Sequence, residues 1–195
     1  MKKIVKLFCL FSLLTAFSCE NEPLDDGIET GAINTEGLIG AWDLVEFSSS
    51  LSTSTNFEGQ IIASEVEIES TTVDYVVNFT ASSFIANGSY SYVTDIVANG
   101  VEISGEAYNL ENVSGSGNYS TNGNEITIDG SFFEFEFEGM ADTAAFEGEQ
   151  ILTFQISEDG QNLTFIQNEV TTETDPTTQT EITINNNSIS VWTKL

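Results

Sequence analysis

The sequence contains no histidine and no arginine, and only four lysines among its 195 residues. Each absence removes a class of chemistry. Without histidine there is no Ser-His-Asp triad, no Cys-His pair and no His-ligated zinc. Without a basic surface, nothing neutralises the phosphates of DNA or RNA and releases their counterions. Without arginine there is no planar fork for a phosphate or carboxylate ligand. The two cysteines, Cys9 and Cys19, both lie near the N-terminus, so the body of the chain has no disulfide framework. Beyond Phe17 no run is long and apolar enough for a transmembrane helix. Apolar molecules, neutral sugars, cations and other proteins remain as partners.

What is abundant is acid. Asp and Glu number 31, and the formal net charge is −27. Three of the lysines are Lys2, Lys3 and Lys6, so from Cys19 onward Lys194 stands alone against all 31 carboxylates, net −30. Such a charge governs solubility and self-repulsion, not fold. Hydrophobic residues make up 40%, which argues against disorder throughout. The length allows one domain with a real core.

The first 19 residues read as an address. A basic start is followed by an apolar run, Leu7 to Phe17, of a length typical of a signal-peptide core. It ends in Ser18-Cys19 and resembles a bacterial lipoprotein signal, with Phe17 where a small residue is usual. The resemblance implies cleavage before Cys19 and acyl chains on it. At about 0.8 kcal/mol per buried CH₂, two or more chains anchor stably. An ordinary secretory signal is the alternative. The acidic stretch Glu20 to Asp26 resembles surface-export signals of some outer-membrane lipoproteins, which implies a lipid-anchored protein at the cell outer membrane. We therefore divide the chain into a signal peptide (1–18), an acidic, self-repelling tether (19–35) and a folded domain (36–195).

Within the domain the hydrophobic period is two. Val66 and Ile68 alternate with Glu65, Glu67 and Glu69. Val73, Tyr75, Val77 and Phe79 share a face, as do Leu152, Phe154 and Ile156. Phe133, Phe135 and Phe137 alternate with Glu134, Glu136 and Glu138, which predicts another strand. Asn87-Gly88, Asn99-Gly100, Asn122-Gly123 and Asp159-Gly160 predict tight turns, because these pairs tolerate positive φ. Separate strands are predicted over 101–110 and 115–119. The pattern is all-β, about 8–10 short antiparallel strands, closed into a barrel or stacked as a β-sandwich.

Gly40-Ala41-Trp42 opens the first strand, preceded by a capped turn around Asn34-Thr35-Glu36. This Gly-x-Trp start, with a basic residue in the last strand, resembles the lipocalin-like lipoproteins of bacteria. The resemblance implies an antiparallel up-and-down β-barrel whose Trp42 packs at the closed end under Lys194, where the family usually carries arginine. The family's later Thr-Asp-x-x-Tyr element is absent.

The resemblance and the inward aromatics together lead to a binding protein for a small apolar or amphiphilic ligand. Tyr75, Phe133, Phe135, Phe137 and Phe154 are the candidate pocket residues. Plain core packing is the simpler account of the same rings. The alternative function is an accessory surface lipoprotein with a filled barrel that binds a glycan or another envelope protein. The glutamate ladders read as solvated strand faces; a calcium site would need 6–8 oxygens, and no EF-hand loop is present. With so many carboxylates, a glycosidase-like pair arises by chance, so no catalytic residues are assigned and no enzyme is expected. No metal and no cofactor is implied. Asp142-Thr143-Ala144 resembles a bacterial O-glycosylation signal, which would modify Thr143.

Overall fold

A computed structural model describes residues 35–57, 59–103, 105–133, 149–174 and 180–195. The 3-10 turn Thr35–Leu38 leads into β1 (Gly40–Phe57), β2 (Gln60–Phe79), β3 (Ser83–Ala98), β4 (Val101–Glu102) and β5 (Glu106–Asn122). Then come β6 (Glu125–Gly130), β7 (Glu149–Ile156), β8 (Asn162–Thr174) and β9 (Glu181–Lys194). All pairings are antiparallel. They run β1 to β2, β3, β5, β6, β7, β8 and β9, and β9 pairs back onto β1. Eight strands thus form a closed up-and-down barrel of the lipocalin-like kind. β4 is an extra strand on the end of β3. The unbroken circuit excludes a two-layer sandwich.

Closure follows from the alternation. Val66 and Ile68 point inward and are buried, while Glu65, Glu67 and Glu69 are exposed. The inward faces bring Trp42, Trp192, Tyr75, Tyr90, Phe79 and Phe84 to the core, all fully buried. A buried ring removes about 150–250 Å² from water. At about 25 cal/mol per Å² that is roughly 4–6 kcal/mol each. Aromatic inside and acidic outside is the inverse of a membrane-spanning barrel, whose outer band is apolar. Among the described residues no helix is long and apolar enough to cross a membrane.

Several local expectations are corrected. Asn87-Gly88 is no hairpin loop: β3 runs straight through it. Gly88 has φ 142° and lies against β2, where a Cβ would sit 2.1 Å from the carbonyl oxygen of Asp74. This glycine permits a tight bend of the wall at a β-bulge, which the pairing with β5 records between Gly88 and Tyr90. The strands predicted over 101–110 and 115–119 are instead the two-residue β4 and one long β5. The polar run Ser48 to Thr55, which carries no period-two signal, belongs to β1 and pairs on both sides. Phe133 lies beyond the end of β6 and outside any strand. Phe135, Phe137, Thr143 and Cys19, with the signal and tether, lie outside the described residues.

Candidate functional site

One end of the barrel is a sealed floor. Trp42 is fully buried, and its indole Nε1 donates to the Leu38 carbonyl of the 3-10 turn at 2.8 Å. Pairing sets Trp42 opposite Lys194, whose Nζ sits 5.0 Å from the Trp42 ring centroid and donates to the Gly37 carbonyl at 3.2 Å. Gly40, Trp42 and Lys194 therefore meet at the floor, and the only cation of the described residues is held there.

Above the floor lies a layer of rings. Phe133 occupies its middle, with centroids 4.8 Å from Phe47, 5.9 Å from Tyr75, 5.8 Å from Tyr90 and 5.9 Å from Trp192. Phe132 packs on Phe84 at 4.6 Å and Phe165 at 5.3 Å. Two successive residues fill the interior because the chain turns inward after β6. The Ser131 hydroxyl donates to the Phe133 carbonyl at 2.5 Å and accepts the Phe133 N–H at 3.2 Å. The Tyr75 hydroxyl donates to the Phe132 carbonyl and holds the segment in place.

Next to this layer is a cavity of about 50 Å³, bounded on its apolar side by Phe47, Phe132, Phe133, Leu152 and Phe165. Pocket volumes for drug-sized ligands run to about 300–1,000 Å³, so the described interior is largely filled. The cavity's other wall is polar and follows from strand register. Across β8, β9 and β1, Phe165, Ser190 and Phe47 form one inward row. Gln167, Ser188 and Ser49 form the next and complete the lining. Glu169, Asn186 and Leu51 form the row after, just beyond the cavity. Ser190 accepts from Trp192 Nε1 at 2.9 Å, and Gln167 accepts from the Ser188 hydroxyl at 3.4 Å and donates to Glu169 at 3.2 Å. The Ser49 hydroxyl and both amide atoms of Asn186 are different. They are buried, the residues being 6% and 4% exposed, and among the described residues they make no hydrogen bond. A buried polar group left so costs about 1–3 kcal/mol.

Among the described residues, no side chain lining the cavity carries a charge. Tyr119 and Asp159, whose titration is shifted, lie away from the cavity. Burial raises the Tyr119 phenol, and bonds from the Ser157 hydroxyl and the Gln161 N–H lower the exposed Asp159 carboxyl. Among the described residues no cluster of three Cys, Asp or Glu side chains is arranged to hold a metal ion.

Of the candidate pocket residues, the barrel brings Tyr75 and Phe133 together. Phe154 is buried and pairs with Phe165, so it supports the cavity wall without being part of its lining. Gly40, Trp42 and Lys194 share the floor and not the cavity. Sequence reasoning missed Phe47, Ser49, Gln167, Asn186, Ser188 and Ser190. A signal existed for some of them: Ser188 and Ser190 keep the parity of Trp192, and Gln167 keeps that of Leu163 and Phe165. A polar residue on an inward parity is the mark that alternation of apolar residues alone passes over. Comparison of the chain with protein-family models, with curated proteins and with solved structures finds no match.

Proposed function

We propose that this chain is a membrane-tethered binding barrel that takes one end of a small amphiphilic molecule beside its ring layer. The observation that carries the reading is a pair of buried polar residues that make no hydrogen bond among the described residues: Ser49, which lines the cavity together with Phe47 and Phe133, and Asn186, one row further along the same inward face. An amphiphile supplies what both surfaces lack: apolar atoms for the rings and polar atoms for the wall. Among the described residues no acid or base lines the cavity itself, which supports a binding role over a catalytic one. The lipid anchor on Cys19 and an outer-membrane address rest on the basic start, the apolar run and Ser18-Cys19. Native mass spectrometry of the lipidated protein from its own membrane tests the binding reading. A second, non-covalent mass removed by solvent extraction is expected, and bare lipoprotein alone overturns it. Cys19→Ala is expected to move the protein out of the membrane fraction.

A second reading is favoured by one observation, the filling of the interior by Phe132 and Phe133. On it the barrel is a solid scaffold and its outer surface binds a glycan or another envelope protein. Cross-linking in cells followed by pull-down separates the two: a specific envelope partner with no co-purifying small molecule is the outcome for the scaffold.

A further inference from the structure

We propose that the polar wall selects the head of the amphiphile, and that the head is small, uncharged and hydroxyl-bearing, of the glyceryl or single-sugar kind. This rests on the reading of the barrel as an amphiphile-binding protein. The wall's own groups define the complement. The Ser49 hydroxyl donates one hydrogen bond and accepts others, and the Asn186 amide offers two donors and an acceptor. A partner that satisfies both must itself donate and accept from neighbouring atoms, which vicinal hydroxyls do.

Charged heads fit less well. A carboxylate only accepts, so it leaves the Asn186 carbonyl oxygen unsatisfied. It also meets Glu169 one strand away in the same row, with no arginine or histidine anywhere to compensate. The one cation of the described residues is held at the floor by the Trp42 ring and the Gly37 carbonyl. An ammonium only donates, so it leaves the Asn186 NH₂ unsatisfied. The carboxylate that would attract it, Glu169, already accepts from Gln167 and from the Thr171 hydroxyl. Burial of Ser49 and Asn186 makes the match matter, because water does not freely replace a missing partner at such a site.

The test uses the full chain and a set of amphiphiles with one decyl-length tail and different heads: monodecanoylglycerol, decyl glucoside, decanoate and decylammonium. Calorimetric titration is run below each micelle concentration. The glyceryl or glucosyl head is expected to bind at least about tenfold tighter than either charged head, a margin equivalent to one good hydrogen-bond mismatch. Ser49→Ala and Asn186→Leu are each expected to erase most of that margin. Both changes remove polar atoms that make no hydrogen bond among the described residues, so both variants are expected to fold, which circular dichroism checks. Binding that is blind to the head, or a margin that survives both substitutions, overturns the head assignment and leaves the amphiphile reading standing. No binding of any of the four overturns both.

Discussion

Lys194 Nζ stands 5.0 Å from the centre of the Trp42 ring, and together they hold the floor of the barrel shut. The lysine also donates to the Gly37 carbonyl, so it ties the last strand to the 3-10 turn before the first. The charge over the ring contributes about 0.5–2 kcal/mol, depending on its shielding from water.

Lys194→Met keeps much of the stem packing and removes the charge and the donor. It is expected to lower unfolding free energy by about 1–3 kcal/mol, combining the ring contact with one lost hydrogen bond. Lys194→Arg is expected to retain most of the stability. Urea denaturation followed by tryptophan fluorescence measures both, and equal stability of the Met variant would contradict the account.

Two glycines distinguish a wall bend from an ordinary turn. A Cβ at Gly88 would sit 2.1 Å from the Asp74 carbonyl oxygen and 2.7 Å from Tyr75 Cα, both backbone atoms. Gly100 has φ 77° in the β3–β4 turn with nothing within 4 Å of its Cβ position. Gly100→Ala is expected to cost about 1 kcal/mol, the strain of its dihedral. Gly88→Ala is expected to cost severalfold more, because two strands must separate. The same denaturation series ranks them, and comparable costs would remove the bend from the account.

Phe133 is a core ring supplied from outside any strand. Phe133→Ala is expected to cost up to about 3 kcal/mol, at the low end for a phenylalanine because the side chain is only partly buried. The same change enlarges the cavity, so monodecanoylglycerol is expected to bind several times tighter. Binding no tighter than the parent's would show that the Phe133 ring does not limit the space for the ligand.

The β7–β8 turn carries a pH signature. Asp159 accepts from the Ser157 hydroxyl at 2.5 Å and the Gln161 N–H at 3.0 Å, and these bonds hold its carboxyl below the usual aspartate range. A lowered folded-state value means that this stabilisation is present above the ordinary aspartate pKa and fades as pH falls through the depressed one. An NMR titration is expected to place Asp159 below a model aspartate, and Ser157→Ala to move it back up. An unshifted titration in the parent protein would remove the turn's acid dependence.

The legible parts of this chain were those where one face of a strand is apolar. Val66 and Ile68 between glutamates, or Tyr75, Val77 and Phe79, display their register because burial selects every second residue. The stretch from Ser48 to Thr55 hid its strand, since serine and threonine occur at both parities, and hydrogen bonding to β2 and β9 places it instead. Asn87-Gly88 misled because the glycine serves a contact with β2, sequence-distant and invisible to a local turn rule. The polar wall of the cavity depends on three strands in register. That arrangement exists only once β9 has closed on β1.

The most direct measurement is a crystal structure of the full chain with monodecanoylglycerol. The expected result places the head hydroxyls within hydrogen-bond distance of Ser49 Oγ and Asn186 Oδ1, with the tail against Phe47 and Phe133. A ligand seated on the outer face of the barrel, with Ser49 and Asn186 meeting only water, would contradict the account.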